Sequence, residues 1–148
     1  MRERRILLVA NRTASGPHLR EEIRARWPCR VTMLVPATPP AKSWTWDEGH
    51  VKREARRRMA EALTDLRRYG IDVRGILGDF SPMQAIRDAM EADRYDEIVI
   101  STLPAGASRW LKQDLPARVT RAFGIPVAHV FARDESGEER RGREYPAA

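Results

Sequence analysis

Apolar residues recur along this chain with two different periods, and the two periods alternate. A short unbroken apolar run at 6–10 and apolar-rich stretches at 31–35, 71–77, 97–100 and 126–131 predict strands. Between them the apolar residues return every three or four positions, the mark of a helix with one buried stripe. Leu19, Ile23 and Trp27 make the stripe of a first helix, with Pro17 in its opening turn and Pro28 as its stop. Val51, Ala55, Met59, Ala62, Leu63 and Leu66 make that of a long second helix, from about Asp47 to Tyr69, which Gly70 ends. Ser81-Pro82-Met83-Gln84 marks the start of a third: Ser81 caps the first turn, Pro82 fits it without a wasted donor, and Gln84 completes a capping box. Met83, Ile86 and Met90 then face inward, and a basic fourth helix follows the run at 97–100.

Strands alternating with helices predict an α/β fold: three layers, α/β/α, around a five-stranded parallel sheet of order 3-2-1-4-5 with right-handed crossovers. The order reverses between the first and fourth strands, and ligands of such sheets bind outside the carboxyl ends of the strands at that reversal. Residues 11–13 and 101–109, far apart in sequence, should therefore meet at one crevice. The α/β domain spans residues 1–132, and 133–148 reads as a polar, flexible tail of four basic and five acidic residues. Residues 36–49 form the one long irregular stretch, with prolines at 36, 39 and 40. Trp44 and Trp46 within it either pack the loop onto the body or close it over a ligand as a lid. The apolar last strand would be a sheet edge, and an uncovered apolar edge needs a partner. A homodimer through Val127, His129 and Phe131 is expected.

Composition narrows the class. At 148 residues, 42% apolar and 32% charged, the chain is one globular domain, and no run approaches the length of a membrane span. The apolar run after Arg5 is too short for a secretory signal. The single cysteine, Cys29, permits no internal disulfide and reads as a small residue at a strand start, so a cytoplasmic location is expected. The net charge of +6 comes almost wholly from arginine and suits an anionic partner. Seven basic against three acidic residues lie between 51 and 70, chiefly on the polar face of the second helix. That face reads as solvated. Nucleic acid binding by residues 53–58 ranks low because only Tyr69 could offer a stacking surface there.

The chain lacks a Walker-type phosphate loop, a dinucleotide-binding glycine fingerprint, a nucleophile elbow and histidines at metal-ligand spacing. His129 reads as a satisfied core or interface histidine. What remains is a binding crevice. Asn11 can donate to and accept from a base or ribose. Thr13, Ser15, Thr102 and Ser108 offer hydroxyls, Gly106 lets the backbone approach a phosphate, and Arg109 can pair with one. Val35, at the end of the second strand, completes the set. An enzyme is the alternative: a slow metal-dependent nucleotide hydrolase using Asp79 or Asp114, although Asp79 reads first as a turn residue.

Four stretches carry a resemblance to the universal stress protein family, small α/β domains of the nucleotide α-hydrolase-like superfamily. ILLVANRT at 6–13 resembles the family's first strand and turn, and GDFSPMQAI at 78–86 its turn and helix after the third strand. EIVISTLPAG at 97–106 resembles the fourth strand and ligand loop, and GIPVAHV at 124–130 the last strand. The resemblance implies the same fold, a role in stress response, dimerisation through the last strand, and ATP or another adenine nucleotide as ligand. In nucleotide-binding members a Gly-x-x-Gly pair, nine further residues and a Gly-Ser or Gly-Thr follow the fourth strand. Here Gly106 fits the second glycine and Leu103 stands at the first. The loop is about three residues short, Gln113-Asp114 falls near the Gly-Ser position, and Asn11 replaces the usual aspartate. A carboxylate at Asp114 would repel a phosphate at a helix start. The expectation is therefore a non-catalytic module for a nucleotide or small anion, with an altered ligand loop.

Overall fold

In a computed structural model the chain forms one twisted sheet between helices. It describes residues 2–11, 13–14, 16–38, 47–102, 109–131 and 144–145. The parallel strands are β1 (Arg4–Val9), β2 (Cys29–Pro36), β3 (Val73–Gly78), β4 (Glu97–Thr102) and β5 (Val127–Phe131), in the expected order 3-2-1-4-5. The helices are α1 (Pro17–Arg24), α2 (Glu48–Arg68), α3 (Pro82–Ala92), α4 (Arg109–Lys112) and α5 (Leu115–Phe123). β1 is central: Ile6 stands beside Val31 of β2 on one side and Glu97 of β4 on the other.

Strand side chains alternate between faces, so the sheet sorts its apolar residues into two cores. Ile6, Leu8, Val31, Met33, Val35 and Val99 pack with Leu19 of α1 and Val51, Ala55 and Leu66 of α2. Leu7, Val9, Ile98, Ile100 and Val127 pack with Ile86 of α3 and Leu115 and Val119 of α5. Because both faces are covered, the central strands β1 and β4 carry unbroken apolar cores, Ile6–Val9 and Ile98–Ile100, as buried parallel strands do. The third helix starts as expected, with Ser81 accepting from the Gln84 N–H and Pro82 at the first helical position. Asp47 caps α2 by accepting from the Gly49 N–H, and Gly70 beyond its end takes a φ of 78°.

Three expectations are corrected. The first helix does not reach Trp27: it ends at Arg24, and the indole is 72% exposed. The turn that follows serves Arg26 instead, whose guanidinium folds back onto Glu22 and Glu97. The basic helix after β4 is two short helices, parted at Asp114, which takes left-handed backbone angles (φ 54°, ψ 41°). Finally, β5 is not the sheet edge. A short strand β6 (Glu144–Tyr145) pairs antiparallel along it, Val127 opposite Tyr145 and Ala128 opposite Glu144. The outward N–H and C=O groups of a strand need partners, and at these positions the chain's own polar tail supplies them. Val127 and His129, expected at a dimer contact, are buried within the chain.

Tyr95 is the exception to good polar pairing. It is buried in the α3–α5 core, and its hydroxyl has no hydrogen-bond partner among the described residues. A buried hydroxyl left unpaired costs stability, so removing it should help. Tyr95→Phe is expected to raise stability by about 0.5–1 kcal/mol in urea unfolding. A loss of similar size would show that the hydroxyl is bonded in solution.

Candidate functional site: the crevice where the strand order reverses

The carboxyl ends of β1 and β4 lie side by side, and the residues just beyond them close on one another. Ser101 Oγ lies 2.6 Å from Thr13 Oγ1, a contact between residues 88 apart in sequence. The same oxygen lies 3.0 Å from His18 Nε2 in the first turn of α1. All three side chains are buried, Ser101 to 1% exposure. Length alone would suit a nucleophile–base pair, but so deep a hydroxyl first of all ties β1, β4 and α1 together.

Neighbouring residues on a strand point to opposite faces. Thr102 therefore leaves the sheet on the other side, where its Oγ1 lies 2.8 Å from His129 Nε2 on β5. The His129 ring packs at a tilt against Phe131, centroids 4.3 Å apart. Burial pushes its pKa down from the ordinary 6.5 to about 4, so it is neutral at pH 7. It is a satisfied core histidine, as its place in an apolar run suggested.

Asn11 begins the turn after β1. Its Nδ2 donates to the Pro36 carbonyl at the end of β2, 2.8 Å away. Its Oδ1 accepts from Arg58 Nη1 at 2.7 Å. The first bond fixes which end of the amide faces which way, so the second is directional. Arg58 comes from the middle of α2. That helix begins beside the carboxyl ends of the strands, and helical side chains lean toward the helix N-terminus. The guanidinium is thereby carried up to the crevice.

Of the sequence-derived set, Asn11, Thr13 and Thr102 gather at this end of the sheet, all buried. Val35 is also there but wholly buried in the α1–α2 core, where it offers no polar contact. Arg109 opens α4. Gly106 and Ser108, together with Ser15, Leu103, Trp44 and Trp46, lie outside the described residues. Asp79 is an exposed turn residue whose carboxylate accepts from the Ser81 N–H, and Asp114 is exposed at the start of α5. Among the described residues no cluster of three or more His, Cys, Asp or Glu side chains is arranged to hold a metal ion.

Ser101 lies in the 101–109 stretch that strand order brings to the crevice, and its contact with Thr13 bears that placement out. His18 and Arg58 are members that the sequence pattern does not single out. Arg58 counts there with the solvated face of α2, yet it lies seven residues from Val51 and four from Ala62, in line with the buried stripe. That spacing was the signal. The other basic side chains of α2 behave as expected of a solvated face. Arg57 pairs with Glu54 and Glu61, and Lys52 with Glu48. Glu54 is held below the usual carboxylate range first by its bond from Arg57, and Arg57 is raised first by the same bond. Part of the positive charge on that face is thus met by its own carboxylates.

A shallow depression on the outside of α2, lined by Ala60, Glu61, Thr64, Asp65 and Arg68, shares no residue with the crevice. No helix among the described residues is long and apolar enough to cross a membrane. Compared with known proteins, the chain matches no family model and no curated sequence.

Proposed function

We propose that the chain is a universal stress protein-like binding module that holds an adenine nucleotide or a related small anion at the β1/β4 crevice and acts by binding rather than by turnover. One observation carries this reading. The described polar side chains that converge there, Asn11, Thr13, His18, Ser101 and Arg58, include a cation and hydroxyls but no carboxylate. Such a set favours an anion. The strand order supports the family resemblance, and the resembling stretches fall on β1, the β3–α3 turn, β4 and β5. Cys29, buried at the start of β2 with its thiol pKa raised by desolvation, is compatible with a reducing cytoplasm. Pairing of two copies through β5, as the resemblance implies, would require β6 to leave that edge.

The test is native mass spectrometry of freshly purified protein, joined to thermal melts with ATP, ADP and AMP. Retained nucleotide, or a melting temperature that climbs with nucleotide concentration, is the expected result. The absence of both retained nucleotide and any melting shift would sink the nucleotide reading.

A further inference from the structure

We propose that the corner where α1 and α2 end is a docking surface for single-stranded nucleic acid, with Trp27 stacking on a base and Arg24 and Arg68 meeting phosphates. The corner lies at the amino end of the sheet, away from the crevice, and does not include residues 53–58. Trp27 and Tyr69 are the exposed large hydrophobic side chains among the described residues, at 72% and 44%. One exposed ring needs no explanation, but these two share a corner and have cations between them. The Trp27 N–H donates to the Arg24 carbonyl at 3.2 Å. The Arg24 guanidinium in turn lies 5.6 Å from the centre of the Tyr69 ring. Arg24 thus joins an indole on the turn after α1 to a phenol at the end of α2.

The cations of the corner are positioned without being cancelled. Arg20 and Arg24, one helical turn apart, both lie over the Tyr69 ring, Arg20 at 4.2 Å. A ring orients a guanidinium by cation–π attraction and leaves its charge in place. Asp65 is taken up by Arg20, and Glu22 by Arg26. Arg67 donates to the Val73 carbonyl, a neutral acceptor. Arg24 and Arg68 are exposed, and among the described residues neither guanidinium has a carboxylate or another hydrogen-bond acceptor. The depression on the outside of α2, lined by Thr64, Asp65 and Arg68, continues the surface from the Arg20–Asp65 pair.

Charge and shape together choose the occupant. A second copy of the chain would set arginines against arginines. An acidic peptide would meet the arginines but bring no plane to the indole, and a duplex keeps its base faces stacked inside. A polyanion with open planar faces serves both, and that is single-stranded RNA or DNA. The net charge of +6 adds attraction at long range.

The experiment is fluorescence anisotropy of the full chain with labelled oligouridine and oligothymidine of about 20 nucleotides, titrated over a range of salt, with polyglutamate as competitor. Both single strands should bind, and more weakly as salt rises. Trp27→Ala should weaken binding by about tenfold or more, the worth of one stacked base, and Trp27→Phe should restore most of it. Arg24→Gln with Arg68→Gln should lower the slope of log affinity against log salt by about 1.4, two phosphate contacts on a single strand. Arg118→Gln with Arg121→Gln, exposed on α5 across the sheet, should bind as wild type does. The proposal is overturned by wild type that binds neither strand at low salt, or by Trp27→Ala and the Arg24/Arg68 variant both binding within about twofold of wild type. Polyglutamate competing as well as unlabelled oligonucleotide of equal charge overturns it too, and assigns the corner to an acidic protein segment. Each of these outcomes leaves the nucleotide reading of the crevice standing.

Discussion

Arg26→Ala is expected to cost about 3 kcal/mol of folding stability, because it strands a buried carboxylate. Glu97 opens β4 at the amino end of the sheet, opposite the crevice, and both it and Arg26 have side chains only 10% exposed. Arg26 Nε donates to Glu97 Oε1 at 2.6 Å, and its Nη1 donates to the Glu22 carbonyl and carboxylate at 2.7 and 2.9 Å. Burial is the largest single influence on Arg26 and lowers its pKa, but the bonds from Glu97 and Glu22 together outweigh it, so the net shift is upward. With Arg26 gone, Glu97 retains among the described residues only the longer contact from the more exposed Arg4, at 3.4 Å. The desolvation cost of the carboxylate then falls on the folded state alone. The double variant Arg26→Met with Glu97→Leu removes both charges and should recover most of the loss. Urea unfolding of both variants decides the matter. An Arg26→Ala protein within about 0.5 kcal/mol of wild type would show the pair to be as weak as a surface one.

The second large effect is a loss of stability in mild acid. His129 is buried and neutral in the folded protein with a pKa of about 4, whereas in an unfolded chain it titrates near 6.5. Between these values the unfolded chain takes up a proton that the folded protein refuses. Stability is therefore complete above pH 6.5 and falls as pH drops toward 4, by about 2 kcal/mol at pH 5 and about 3 kcal/mol at pH 4. Asp93 and Glu54, held down first by the Arg94 N–H and by Arg57 respectively, act in the same direction, but only as pH falls through and below their ordinary values of 3.8 and 4.5. The window from pH 5 to 6.5 is thus the one to examine. Urea midpoints at pH 7.5, 6 and 5 should decline for wild type and stay flatter for His129→Gln. Equal slopes in the two proteins would remove His129 as the cause.

The architecture was legible because a parallel sheet covered on both faces writes itself as apolar runs separated by striped segments. Ser81, Pro82 and Gln84 announced α3 through local chemistry that needs no tertiary partner. Trp27 misled for the opposite reason: four-residue spacing suggested a stripe, but the turn before β2 is shaped by Arg26 reaching Glu97, 71 residues away. No local pattern contains that bond. The site was half legible. Strand order brings Asn11 and Thr13 to the ends of β1 and β4, and topology follows from the alternation of elements. That Ser101 would bond Thr13 and His18, or that Arg58 would reach Asn11, depends on side-chain reach across elements. Only a position in line with an apolar stripe, as at Arg58, left a trace. The edge of the sheet was misread because polar composition says whether a segment can build a core, not whether its backbone can pair.

The junction of β1 with β4 has a consequence for the order in which the protein comes into being. β1, β2 and β3 neighbour one another in the sheet and lie within the first 78 residues, whereas β1 waits for β4 until residue 97. Closing that long loop is the entropically expensive step of the topology. As the chain emerges from a ribosome, one half of the crevice is made early and the other only after Ser101 has left the exit tunnel. Until then Thr13 and His18 have no seryl oxygen to meet. The closed crevice is therefore a property of the sheet after β4 has joined it, absent from nascent chains that have not yet released Ser101.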